Sequence, residues 1–326
     1  MHKQPALWRQ IQRLNFIDLE KLATFLELSD HQKEKIVQKP KFVLNIPFRL
    51  ANKISKNTLE DPILRQFVPL DEENKIVEGF DEDPVCDHLY RKESQLLHKY
   101  IGRALLVCTS ACAMHCRYCF RQNFDYPEKS TLFSKEIELI RQDASLHEII
   151  LSGGDPLSLE NTTLNNLLNE LESIEHIRRV RIHTRFPIGI PERLDEGFLS
   201  LLERKRLQIW FVVHVNHPLE LDAEILDKLK SVQKLGIPVL NQSVLLRGVN
   251  DTVEVQKELC EKLVDHGILP YYLHQLDRVQ GTSHFEVNPD QGRLIIQTLM
   301  TSLSGYAVPK YVKEIPGALS KTSLSF

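Results

Sequence analysis

The sequence predicts an α/β chain in which strand–helix units roll into a barrel, or part of one, behind an N-terminal helical arm. Three observations carry this expectation. From residue 103 onward, six short apolar runs alternate with amphipathic stretches, the pattern of βα units on a parallel sheet. Polar clusters follow the runs, and in such a barrel sites gather at the C-terminal ends of strands. A doubly wound sheet would gather its site at one switch point instead. Before residue 95 the pattern differs, first helical, then polar and rich in turn signals.

Leu14, Ile17, Leu19, Leu22, Phe25 and Leu26 recur at helical spacing and predict amphipathic helix over 7–37. Residues 52–97 are polar, with turns signalled at Asp61-Pro62 and Asp83-Pro84. The division expected is therefore a helical arm or cap over 1–95 and a barrel over 96–326. Strands are predicted at 104–108, 148–151, 180–183, 209–214, 238–245 and 269–273. Helices are predicted near 134–145, 159–174, 191–204, 219–235, 253–266 and 289–302. The polar strand ends are Ser152-Gly153-Gly154-Asp155, His183-Thr184-Arg185, His214-Val215-Asn216-His217, Asn241-Gln242 and His274 to Asp277.

Composition narrows the function. The 326 residues, 42% hydrophobic and 26% charged, suit one large domain or one with an appendage. Net charge is −3 with both signs mixed along the chain, so no basic stripe points to nucleic acid. The first ten residues lack the apolar core of a signal peptide, and no apolar run is long enough to span a bilayer. Four of the six cysteines crowd into 108–119, unlike a secreted disulfide framework.

Those cysteines are the most informative feature. Cys112, Cys116 and Cys119 form a C-x3-C-x2-C run with Tyr118 before the last. Thiolates this close can share one small cluster, and three ligands on four irons leave one iron open for a small molecule. With Cys108, four thiolates could also close a zinc site or an electron-transfer cluster. Zinc sites usually pair separated C-x2-C units, however, and this run is continuous. Cys108 is expected to end a strand as a small buried residue. An exposed reduced cluster needs a reducing compartment, so the protein is read as cytoplasmic.

The cysteine spacing resembles that of the radical S-adenosylmethionine (SAM) enzymes. Further stretches extend the likeness: His98-Lys99-Tyr100, Cys119-Phe120-Arg121, Ser152-Gly153-Gly154-Asp155-Pro156-Leu157, His214-Val215-Asn216-His217-Pro218, 241–251 and Lys321-Thr322. With these the chain resembles the lysine 2,3-aminomutases, in particular the branch that makes β-lysine for modifying elongation factor P. The resemblance covers 95–326 strongly and the arm more loosely. It implies a partial (β/α)6 TIM-type barrel of the radical SAM class. It also implies a [4Fe–4S] cluster, SAM, pyridoxal 5′-phosphate (PLP), an external one-electron reductant and L-lysine as substrate, with the product passed to the elongation factor P pathway as (R)-β-lysine.

The resemblance assigns roles residue by residue. Cys112, Cys116 and Cys119 hold the cluster. Lys321, in Pro-Gly-Ala-Leu-Ser-Lys-Thr, is the Schiff-base lysine for PLP. Without the family it would read as a solvated lysine near the C-terminus. Lys99, Tyr100 and Arg103 take the PLP phosphate. Lys99 stands where arginine is common, and a point charge grips phosphate less firmly than a fork. Arg103 could equally open the first strand as a surface charge. Gly153, Gly154 and Asp155 fall at the SAM methionine moiety, with His214 and Gln242 near SAM. Arg121 takes the substrate carboxylate, and Asp277 and Glu314 take the ε-ammonium. Glu314 departs from the aspartate usual in the free-standing lysine enzymes. Two acids and one arginine suit an amino acid with a cationic tail, although pairing with Arg278 and Lys313 at the surface is the plain alternative. Longer relatives carry a zinc site built partly from C-terminal cysteines. Here the sole cysteine beyond 119 is Cys260, so no zinc is expected. Other readings are the same chemistry on another amino acid, an iron–sulfur carrier, and a radical SAM enzyme acting on RNA. The carrier leaves Lys321, Arg121 and the acids unexplained.

Overall fold

Ten strands follow one another across a single sheet in chain order. They are β1 (Arg91–Glu93), β2 (Leu96–Tyr100), β3 (Arg103–Val107), β4 (Glu148–Ser152), β5 (Arg179–Thr184), β6 (Gln208–His214), β7 (Val239–Leu245), β8 (Leu269–Gln275), β9 (Lys310–Lys313) and β10 (Thr322–Ser323). The structure is a computed structural model and describes residues 5–126, 133–204 and 206–325. Residues 1–4, which open the stretch read for a signal peptide, lie outside those described. From β3 to β9 every pairing is parallel. Antiparallel partners extend the sheet at both ends, β1 and β2 on one side and β10 on the other.

The six predicted strands match β3 to β8 within two residues. The helices between them fall where predicted, at Ser134–Gln142, Asn161–Glu172, Glu196–Leu202, Ala223–Gln233, Val253–Asp265 and Pro289–Ser302. Asp195, Asp222, Thr252 and Asn288 cap four of them by accepting from backbone N–H groups. The flanking strands are short and polar, Arg-Lys-Glu and Lys-Tyr-Val-Lys among them, so no apolar run announced them.

Strand burial explains why the sheet curls around a site. A parallel strand covered on both faces reads as a continuous apolar run. Here β4 and β5 alternate. Ile149, Leu151, Val180 and Ile182 are buried among the helices, while Glu148, Ile150, Ser152, Arg179, Arg181 and His183 line the other, mostly polar face. That polar face is the barrel interior. Arg181 on β5 donates to the Tyr271 hydroxyl on β8 at 3.3 Å. On a flat sheet those strands would lie about 14 Å apart. Glu314, just past β9, reaches Lys99 on β2 at 2.7 Å. The sheet therefore rolls until its two ends approach, an open, partial barrel.

The expected helix over 7–37 is instead three short helices, Leu7–Gln12, Leu19–Phe25 and Asp30–Lys33. Caps outweigh the apolar periodicity. Asp18 accepts from the Lys21 N–H, Glu27 turns the chain at φ 57°, and Ser29 with Gln32 forms a capping box. Trp8, Leu22, Leu50 and Phe67 of the arm share one core with Ile149, Val180 and Phe211 of the barrel. Residue 95, the expected boundary, lies in the turn between β1 and β2. Among the described residues no helix is long and apolar enough to cross a membrane.

Candidate active site

The cysteine loop leaves the end of β3 and is pinned from two sides. The arm holds it through Asn15, which donates to the Ala113 carbonyl at 2.7 Å, and through the Gln66 carbonyl, which accepts from Arg117 N–H at 2.8 Å. From β4, Gly154 N–H donates to the Thr109 carbonyl and Asp155 N–H to the Ala111 carbonyl. A Cβ on Gly154 would lie 2.4 Å from the Ala111 carbonyl oxygen, and one on Gly153, at φ 115°, 2.8 Å from that of Thr109. The two glycines let the cysteine loop pack against β4. Asp155 is turned inward: it accepts from the Thr184 hydroxyl and from the N–H groups of Leu157, Arg185 and Phe186. Those four donors saturate a buried carboxylate. These bonds tie the β4 and β5 ends together.

Cys108 is buried just past β3, as expected, and burial pushes its thiol up to about 12. Burial, then Asp155 and the neighbouring thiols, pushes Cys112 well up, and burial with Cys116 pushes Cys119 up to about 11. Cys112 and Cys119 thus feel the charge of neighbouring thiols, and binding metal must displace protons from them. Among the described residues no three His, Cys, Asp or Glu side chains converge on a position for a single ion. A cluster makes no such demand, because each thiolate binds a different iron.

Behind the loop lies a buried charge network missed in the sequence. Arg185, at the end of β5, donates to Cys116 Sγ at 2.8 Å, to the Tyr118 hydroxyl, to Gln66 Oε1 at 2.7 Å and to Glu220 Oε2 at 2.7 Å. Glu220 is fully buried and also accepts from the N–H groups of Asn216 and His217. Burial opposes its charge, but Arg185 keeps its carboxyl below the usual range. The only sequence signal was that both residues follow strand ends.

Within the barrel, the phosphate and PLP-lysine candidates meet on one carboxylate. Glu314 Oε1 lies 2.7 Å from Lys99 Nζ and accepts from the Tyr100 hydroxyl, while Oε2 accepts from Lys321 Nζ at 2.7 Å. Burial opposes ionisation of Glu314, yet Lys321, Lys99 and Tyr100 hold its pKa down at about 2. Arg103, the register partner of Tyr100, stacks its guanidinium 4.6 Å from that ring. Arg103 makes no side-chain hydrogen bond or ion pair among the described residues.

Asp277 accepts no side-chain hydrogen bond among the described residues, and burial raises its pKa to about 7 against the pull of Lys321. Neither acid pairs with Arg278 or Lys313. Arg278 instead pairs with Glu286. Arg121 is buried, and Asp87 holds it through Nε and Nη2, each 2.9 Å from the same carboxylate oxygen. His214 and Gln242 are register partners on β6 and β7, and Gln242 lies 3.3 Å from His183 Nδ1. Burial keeps His183 and His274 well below the usual imidazole range and His214 at about 3. His183 Nε2 is buried without a partner among the described residues.

Comparison with known proteins decides the family. The L-lysine 2,3-aminomutase of Escherichia coli K12 is 42% identical over 286 residues, 87% of this chain and 83% of that protein. That of Haemophilus influenzae is 39% identical over 97% of this chain and 94% of its own length. The chain belongs to the lysine 2,3-aminomutase family. Members are isomerases, and membership brings the cofactor set expected from the sequence. A family described as a 4Fe-4S single cluster domain matches residues 101–185, which include the cysteine loop. Among solved structures, Streptococcus suis SuiB bound to S-adenosylmethionine superposes with TM-score 0.50 at 14% identity, over 67% of this chain and 51% of that one. A radical SAM methyltransferase from Sphaerobacter thermophilus gives TM-score 0.50 at 18% identity, over 67% and 68%. Both share the fold, and their likeness agrees with the partial barrel described above.

Proposed function

We propose that this enzyme moves the 2-amino group of L-lysine to carbon 3, giving β-lysine in its (R) form for modification of elongation factor P. It would do so in the cytoplasm with an external one-electron reductant, and with the 1–95 arm capping the 96–326 barrel. The observation that carries the reading is the convergence of Lys99, Tyr100 and Lys321 on the Glu314 carboxylate beside Asp277. The ammonium of Lys99 and the hydroxyl of Tyr100 are donors that suit a phosphate, and Lys321 brings an amine beside them. Arg103, stacked on Tyr100, adds a guanidinium with no hydrogen-bonding side-chain partner among the described residues. His183 Nε2, buried and without a partner among the described residues, marks a further polar position that a ligand atom would satisfy.

When bound, the cluster and SAM supply the radical that takes hydrogen from carbon 3, and PLP supplies the electron sink for the nitrogen's move. The chain's own residues bind and orient. Cys112, Cys116 and Cys119 hold the cluster, with His214, Gln242 and the Gly153-Gly154-Asp155 turn beside SAM. Lys321 is the residue that carries PLP, with Lys99, Tyr100 and Arg103 on its phosphate. Once those partners turn to the cofactor, Glu314 is free to join Asp277 on the substrate ε-ammonium. Arg121 fixes the opposite end of the substrate through its carboxylate. Three neutral imidazoles in the interior add no competing charge. Held at both ends, lysine presents carbon 3 at a defined depth.

An anaerobic assay with lysine, SAM and reductant, read by chiral amino-acid analysis, tests the reading. The expected product is (R)-β-lysine. Rearrangement of glutamate or alanine as readily as lysine would overturn it. Borohydride trapping followed by peptide mapping should label Lys321 and no other lysine.

A further inference from the structure

Nothing in the sequence marks residues 83–90 as part of the site, yet this stretch touches three of its parts. Asp87 holds Arg121. The Val85 carbonyl accepts from Lys99 Nζ at 3.0 Å. The Tyr90 hydroxyl accepts from Gly317 N–H at 3.1 Å, in the loop that leads to Lys321, and its ring lies 4.9 Å from Lys99 Nζ. Asp87 is itself fixed. Its N–H donates to Asp83 Oδ1 at 3.0 Å, Cys86 before it turns the chain at φ 53°, and its side chain is buried against Arg121.

We infer that Asp87 is a positioning residue that aims Arg121 at the carboxylate of the substrate. The inference rests on the role given to Arg121 above. Asp87 occupies one edge of the guanidinium, Nε and Nη2, through a single oxygen. Nη1 has only a long contact, 3.4 Å, to Ser152 Oγ. N–H capacity therefore remains on both terminal nitrogens, the pair that binds a carboxylate through two parallel hydrogen bonds. The rings of Phe120 and Phe124, 4.7 and 5.8 Å from the guanidinium carbon, limit its rotation. Asp87 also keeps Arg121 occupied, so that it does not pair with Asp277 or Glu314, the acids needed for the ammonium end. Asp87 is close enough to Asp277 to help raise its pKa, so the two ends of the site feel each other. A supporting side chain that locks a binding group in this way carries part of that group's selectivity.

The test compares lysine with lysinamide, which keeps both amines and replaces the carboxylate with a carboxamide. Binding to the cofactor-loaded protein is followed by calorimetry and turnover by product analysis. Wild type should favour lysine. In Asp87→Ala, lysine affinity should fall by about tenfold, the loss of one well-made charged contact, while lysinamide binding changes little. The preference for carboxylate then shrinks. Asp87→Asn keeps an acceptor oxygen and should sit between the two; it carries the comparison if Asp87→Ala does not fold. Cluster content and SAM binding should match wild type in both. A purely structural role would weaken both ligands alike, and an unchanged preference in the variants overturns the inference. If wild type binds lysine over lysinamide, the variants lose that preference, and nothing is turned over, the functional reading fails and this one stands.

Discussion

Replacing Asp277 with asparagine should make the cofactor-free protein more stable while removing lysine turnover. Asp277 accepts no side-chain hydrogen bond among the described residues, and burial lifts its carboxyl from the ordinary range to about 7. That is a rise of about three units at ~1.4 kcal/mol each, an upper limit of about 4 kcal/mol. Asp277 as a residue is only partly buried, and solvent screening reduces this to about 2 kcal/mol. The sign follows from proton linkage. Below pH ~4 the folded and unfolded carboxyls are both protonated and asparagine gains nothing. As pH rises from ~4 to ~7 the unfolded chain releases its proton while the folded chain keeps it, so the wild type loses stability. Above pH ~7 the loss is complete. His183, His214 and His274, with depressed values, destabilise the fold as pH falls below ~6.5, but they do so equally in both proteins and cancel in the difference. Thermal or urea unfolding of cofactor-free wild type and Asp277→Asn at pH 5.5 and 8.5 checks this. The gain at pH 8.5 should be about twice that at pH 5.5. Lysine affinity should fall by ~2–5 kcal/mol with SAM binding little affected, because a buried charged partner is lost. A pH-independent difference, or a variant less stable at pH 8.5, would refute the argument that Asp277 is an unpaired acid held ready for a cation.

Cys112→Ala, Cys116→Ala and Cys119→Ala should each abolish SAM cleavage and lower iron after anaerobic reconstitution, whereas Cys108→Ala should keep both; equal loss in Cys108→Ala would sink the open-iron reading. Gly154→Ala drives a methyl into the Ala111 carbonyl, so the cysteine loop should be displaced and iron retention fall sharply while helical circular dichroism persists. Arg185→Gln leaves Glu220 buried without its cation and should cost ~3–5 kcal/mol of unfolding free energy, with Arg185→Gln/Glu220→Gln recovering part of it. Glu314→Gln should weaken lysine turnover more than Glu314→Asp, as measured by kcat/KM, because only the latter keeps the counter-charge.

Much of this arrangement was legible in the chain. The strands β3 to β8 are apolar runs long enough to stand out, and their helices carry clear amphipathic spacing. Cys112, Cys116 and Cys119 declare themselves by proximity in sequence, and Lys99, Tyr100 and Lys321 by family resemblance, which the barrel then draws together at Glu314. The arm was less legible. Its apolar positions repeat at helical spacing, but Asp18 and Ser29 cap and end helices that the periodicity would join. Gly153 and Gly154 stood out through family resemblance, and their close packing against the cysteine loop became visible in the structure.

Local chemistry and periodicity depend on residues a few positions apart, and the sequence alone therefore determined the parallel βα order, the cysteine loop and the family to which the chain belongs. Partnerships across large separations depend on how far the sheet rolls. Asp87 and Arg121 lie 34 residues apart, Arg185 and Glu220 lie 35 apart, and Tyr100 and Glu314 lie 214 apart. No pattern in the chain encodes those distances. In the rolled sheet burial pushes the Asp277 carboxyl up to about 7, whereas Lys321, Lys99 and Tyr100 keep Glu314 charged despite its burial, so two acids of similar intrinsic strength acquire different states only in the tertiary structure.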